Sequence, residues 1–177
     1  MTPPTSRLGR IAPYQSQSHN PEEDIVMVKL DRTEKRVMEL LQKDGRMSFV
    51  DMAEEIGVTE GTIRRKFYRL INEGIIHIAG ISDPFKIGFS SPVIIALNVE
   101  PGKSKVVAEQ IAKLRPLHYV GLATGNFDII VQGVFPTNED LSRFILEDLS
   151  AVDGIREINT SLLLRVFKQS FEWGVAL

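Results

Sequence analysis

Arg64, Arg65, Lys66 and Arg69 form the densest basic patch in this 177-residue chain. Guanidinium groups fork onto the O6 and N7 of guanine, and ammonium groups neutralise phosphate, so the chemistry on offer is contact with nucleic acid. At about 100° per residue around a helix, Ile63, Phe67, Leu70 and Ile71 fall on one side and are expected to pack inward. Gly61, Thr62, Arg65, Tyr68 and Arg69 fall on the other side, with Arg64 and Lys66 on the flanks. Outward Arg65 and Arg69 are long enough to reach base edges, Thr62 suits a thymine methyl or a phosphate, and Gly61 lets the helix start approach closely. Arg64, Lys66 and the hydroxyls of Ser48 and Thr59 suit phosphates, as do the amides at two helix N-termini. The plain alternative is a surface helix with solvated charges.

Two further helices are predicted to hold that basic helix in place. Asp31 caps the first and forms a capping-box pair with Glu34. Val37, Leu40 and Leu41 make its apolar stripe, and Asp44-Gly45 ends it. Ser48 opens the second, Met52, Ala53 and Ile56 face inward, and Gly57 stops it. Thr59 caps the third, which Gly74 closes. Two short helices, a tight turn and a basic third helix are the pattern of a helix-turn-helix, whose last helix enters the DNA major groove. Ile75–Ile81 is short, β-branched and partly alternating, and reads as a strand.

The remaining chain has a different rhythm. Val93, Ile95, Leu97 and Val99 alternate, then Pro101-Gly102 turns, and Val107, Ile111 and Leu114 take helical spacing. Leu117 to Ala123 reads as a second strand, Thr124-Gly125-Asn126 as a turn, and Phe127 to Phe135 as a third strand. Thr137 caps a helix with the stripe Leu141, Phe144, Ile145 and Leu149, and Ile158 to Val166 alternates as a final strand. The order β-α-β-β-α-β is the ferredoxin-like plan. Two helices cover one sheet face, yet Ile130, Val134 and Leu163 are apolar on the other. Pairing two such sheets across a two-fold axis covers that face, so a homodimer is expected. A dimer would set two reading helices about one DNA turn, or a multiple of it, apart on a pseudo-palindromic site.

The fold class is therefore α+β. Residues 1–28 are a Pro-, Ser- and Gln-rich tail expected to be disordered. Residues 29–82 form a helix-turn-helix (winged-helix-like) domain with its linking strand, 83–91 a linker, and 92–177 the ferredoxin-like domain. The chain is 43% hydrophobic and 25% charged, enough for a packed core. Its net charge of −2 argues against nucleic acid on its own. Residues 30–83 do not reverse that balance, with nine Lys/Arg against ten Asp/Glu, so affinity for DNA rests on local clustering. The absence of cysteine excludes disulfides, thiolate metal sites and Cys nucleophiles, and fits a reducing cytoplasm. No apolar run approaches the ~18 residues that span a bilayer, and no membrane partner is expected.

The chain resembles the Lrp/AsnC family of prokaryotic regulators, the feast/famine regulatory proteins, over about 30–174. The likeness is carried by Leu30-Asp31, Leu40-Leu41-Gln42-Lys43-Asp44-Gly45-Arg46, Ile56-Gly57-Val58-Thr59-Glu60-Gly61-Thr62-Ile63-Arg64-Arg65, and Leu70-Ile71-Asn72-Glu73-Gly74-Ile75-Ile76. Asp83-Pro84, Ile87-Gly88 and Thr124-Gly125-Asn126-Phe127-Asp128 complete it. The resemblance implies a helix-turn-helix joined by a strand to a ferredoxin-like domain that dimerises, assembles further into octamers or open rings, and binds small effectors, commonly amino acids. It also implies gene activation or repression, no cofactor, and double-stranded DNA as partner. The long segment before Leu30 departs from the family pattern.

The resemblance also places an effector loop at the family's Thr-Gly-x-x-Asp segment, here Thr124, Gly125 and Asp128, with Thr160 on the last strand facing it. Gly125 would let backbone N–H groups turn toward a ligand carboxylate, and Asp128 would pair with its ammonium. Asn126 stands where relatives often carry Asp or Glu, which removes a charge beside the site. The alternative is an ordinary hairpin turn whose amides Asp128 caps.

Two other functions compete. Some proteins of this architecture are siroheme decarboxylases, which gather His or Arg around a tetrapyrrole. Here His19, His77 and His118 have no metal-ligand spacing, and no catalytic or metal-binding set is identified. A helix-turn-helix serving only protein interaction is the other, and the outward Arg65/Arg69 face argues against it.

Overall fold

The computed structural model describes residues 28–169; the expected tail at 1–28 lies outside them except for Val28. The described chain divides after Ile81 into two units.

In the first unit, α1 spans Arg32–Lys43, α2 Phe49–Ile56 and α3 Glu60–Asn72. Each starts at the predicted cap. Asp31 and Glu34 form the reciprocal capping box, Ser48 accepts from the Asp51 N–H, and Thr59 accepts from the Thr62 N–H. Gly57 ends α2 in the left-handed region at φ +79°, a conformation L side chains avoid, and this produces the tight turn into α3. Val37, Leu40, Leu41, Met52, Ala53, Ile63, Phe67 and Leu70 make the buried core between the three helices.

The strand expected at Ile75–Ile81 does not form. The amides of Ile75 and Ile76 both donate to the Leu70 carbonyl, closing α3, and Ile75, Ile76 and Ile78 pack against the helical core. The β-branched character there serves packing, and no strand among the described residues supplies it a ladder.

The second unit begins with a 3₁₀ turn at Phe85–Ile87 and then runs β1 Ser91–Val99, α4 Ser104–Ile111, β2 Leu117–Leu122, β3 Ile129–Phe135, α5 Asn138–Arg143 and β4 Ile155–Leu162. A π-helical turn, Phe144–Leu149, continues α5. The sheet order is β2-β3-β1-β4, and every neighbouring pair is antiparallel. This is the ferredoxin-like arrangement. Val93, Ile95, Leu97 and Val99 of β1 share a face with Ile129, Val131 and Phe135 of β3 and are buried with Val107, Ile111, Leu141, Phe144 and Leu149. The alternate residues, Ile94 and Ala96 opposite Gln132 and Ile130, lie on the other face.

β4 stops at Leu162, short of the expected Val166. It pairs only with β1, in the register Val93↔Leu162, and the Leu163 amide makes the last bond to the Pro92 carbonyl. Beyond that point β1 has no backbone left to pair with, and Leu164 is 96% exposed.

Candidate nucleic-acid interface and effector loop

The cap expected at the start of α3 forms. Thr59 caps the helix, its Oγ1 lying 2.9 Å from the Thr62 Oγ1, so both hydroxyls sit at the helix N-terminus. Gly61 is exposed, and a Cβ there would meet nothing within 4 Å, so no internal packing demands a glycine. Ser48 caps α2 and donates to Asp51 Oδ2 at 2.7 Å.

The four cations of α3 divide sharply by their partners. Arg65 is exposed and forms no ion pair among the described residues. Arg64 is also exposed. It pairs with Glu60 at 2.6 Å, one helical turn back, and its guanidinium lies 5.3 Å from the centre of the Phe49 ring. Lys66 turns back to α1, where its ammonium donates to Asp31 and, at 3.1 Å, to Glu34 Oε1. Arg69 does the same, with Nη1 2.6 Å from Glu34 Oε1 and Nε 3.0 Å from Glu73 Oε1.

Glu34, the hub of this network, is fully buried. Burial pushes its carboxyl pKa up, but the Asp31 amide and the cations of Lys66 and Arg69 outweigh that and hold it below its ordinary value. Asp31 is likewise lowered, first by its hydrogen bond to Lys66, and Lys66 is raised by both carboxylates.

The helical wheel leaves out three features of this geometry. Arg69 is not a free outward guanidinium, Lys66 is not a free flank charge, and Tyr68 is half-buried. The Tyr68 ring stands edge-on to Phe67 at 5.4 Å and to Phe49 at 6.2 Å. The wheel gives direction around a helix but not what a neighbouring helix offers. The near balance of nine cations and ten acids in residues 30–83 is the one signal in the sequence that cations have internal partners, and Glu34 combines its capping role with both ion pairs.

In the second unit, Thr124, Gly125 and Asn126 are exposed in the β2–β3 connection, with Gly125 at φ +113°. Asp128 accepts the Val99 amide at Oδ2, 2.9 Å away, and its own amide donates to the Leu97 carbonyl. Its carboxylate thus secures the end of β1 where the β4 register shifts, rather than capping the turn's own amides. Thr160 stands opposite Ile95, with β1 between β4 and β3, while the loop lies beyond the Leu97↔Ile129 pair. The register therefore separates Thr160 from the loop within one chain. An open cavity of about 350 Å³, lined by residues including Ser91, Asn138 and Leu163, contains no residue of the loop.

Comparison with known proteins agrees with this two-part geometry. A family model described as the Lrp/AsnC ligand binding domain matches residues 92–173, and one described as winged helix-turn-helix DNA-binding matches residues 30–77. An uncharacterized HTH-type transcriptional regulator of Pyrococcus abyssi is 41% identical over 150 residues, covering 84% of this chain and 92% of the relative. A counterpart in Pyrococcus horikoshii is 39% identical over the same length, with the same coverage. Among solved structures, E. coli AsnC shares the fold at a TM-score of 0.75 and 18% identity, covering 80% of this chain and 97% of AsnC. A Neisseria meningitidis transcriptional regulator, solved as a complex with L-Met, shares it at 0.75 and 21%, covering 81% and 95%. Basic reading helix, ferredoxin-like sheet and matched relatives converge: the chain belongs to the Lrp/AsnC family of helix-turn-helix transcriptional regulators.

Proposed function

We propose that this protein is a sequence-specific regulator that binds pseudo-palindromic double-stranded DNA as a homodimer or a higher assembly such as an octamer, and that an amino acid at its second domain modulates it. The observation that carries the reading is the start of α3, where exposed Arg65 and open Gly61 stand beside the capped helix N-terminus. A guanidinium there reaches base edges while the helix-terminal amides and the hydroxyls of Ser48, Thr59 and Thr62 meet phosphate. Residues 29–82 are the DNA-binding domain, 83–91 the linker and 92–177 the effector and dimerisation domain.

Thr124, Gly125, Asn126 and Asp128 are the effector loop in this reading. The positive φ of Gly125 supports an amide nest for a carboxylate, and Asp128 keeps lone pairs for an ammonium while holding the Val99 amide. Thr160, on β4 opposite Ile95, belongs to the same reading as the polar position the family sets against this loop. No helix among the described residues is long and apolar enough to cross a membrane, and a cytoplasmic location suits a DNA-bound regulator. Selection from random duplex DNA, with and without a mixed amino-acid pool, tests the whole reading. An enriched two-fold motif whose occupancy shifts with the pool is the expected result; no enrichment under either condition overturns it.

A further inference from the structure

We infer that buried Glu34 is a positioning residue that withholds Lys66 and Arg69 from DNA phosphate, leaving Arg65 and Arg64 as the cations of α3 that touch DNA. The inference deepens the DNA-binding reading above and rests on it. The contrast is one of burial. Glu60 and Glu73 are 45% and 44% exposed, so their pairs with Arg64 and Arg69 are worth little and exchange readily for a phosphate. Glu34 has no exposure, and Lys66 Nζ and Arg69 Nη1 are the cations on it. If either left for a phosphate, a desolvated carboxylate would lose its compensation, which is among the costliest changes a protein interior undergoes.

Lys66 is itself only 17% exposed, and Asp31 grips it from the rim. The two cations therefore tie α3 to the start of α1. The result is a helix rich in positive charge whose attraction to arbitrary DNA is small. Non-specific affinity scales with the phosphates neutralised, so removing two cations from that account raises the ratio of specific to non-specific binding.

The test is the salt dependence of the full-length protein binding a random-sequence duplex, followed by fluorescence anisotropy, alongside thermal melts. Each phosphate neutralised contributes about 0.9 to the slope of log K against log salt. Arg64→Ala, which removes the cation whose exposed pair exchanges for phosphate, is expected to flatten the slope by about that amount per reading helix engaged. Arg69→Ala is expected to leave the slope unchanged while lowering the melting temperature. Glu34→Gln, which leaves Lys66 and Arg69 paired only with the half-exposed Asp31 and Glu73, is expected to steepen the slope and tighten binding to random DNA. If Glu34→Gln does not fold, the pair Arg64→Ala and Arg69→Ala decides alone. An Arg69→Ala slope as flat as that of Arg64→Ala overturns the inference while leaving the regulator reading standing. Wild-type protein that binds no duplex at any salt overturns both.

Discussion

Arg65 and Glu34 show how residues alike in sequence prominence part ways in the fold. Arg65 has a solvent-facing guanidinium and no ion pair among the described residues. On its operator, Arg65→Ala is expected to cost roughly 1–3 kcal/mol at one base position and relax the preference there. Binding to single-base operator variants checks this; equal loss on every variant would move Arg65 to the phosphates. Glu34 and Asp31 both carry depressed pKa values, so their contribution to stability is present above their ordinary values of 4.5 and 3.8 and disappears as pH falls through the lower folded values. Thermal melts of wild-type and Glu34→Gln protein on acidification are expected to converge, because the wild-type loses what the variant never had. Parallel curves down to strong acid would remove the network from the stability of this unit. At the effector loop, Asp128→Ala is expected to abolish the response to an amino acid. Loss of the Val99 cap also costs about 1 kcal/mol of stability. An unchanged response in the binding assay would refute the loop assignment.

Among the elements, the helix-turn-helix was legible in advance because its signals are local. Asp31, Ser48 and Thr59 are caps whose oxygens bond backbone only three positions on, and Gly57 serves one dihedral angle. Gly57→Ala is expected to cost about 1 kcal/mol, since φ is +79° and a Cβ meets nothing within 4 Å. The denaturation midpoint measures it, and an unshifted midpoint would show that the turn relaxes to a right-handed conformation without penalty. Strands were less legible. A β-branched run such as Ile75–Ile81 has the composition of a strand, but a strand also needs a partner, and here its amides and side chains are used by α3 and the helical core. β4 ends before its alternating pattern does for the same reason. Alternation continues in the sequence to Val166, while the ladder ends where β1 does.

For the whole molecule, the decisive feature is the sheet face opposite α4 and α5. Ile94, Ala96, Ile130 and Val134 lie on it in adjacent register positions, with Tyr119 half-exposed at 51%. Placing a charge there by Ile130→Glu is expected to yield monomers in sedimentation and to weaken operator binding by removing the second reading helix. Dimers of unchanged stability would assign that face to something else. The sequence by itself determined the α+β class, the capped helices, the succession of strands and helices in the second unit and the basic patch, because caps, turns and periodicity act within a few residues of each other. Only the tertiary structure decided which cations of that patch remain available. Lys66 and Arg69 meet Glu34 across more than thirty positions of chain, and such a meeting depends on how two helices pack, which no local pattern encodes. The same holds for Thr160, whose distance from the loop at Thr124–Asp128 is set by strand order and register rather than by its place in the alternating run.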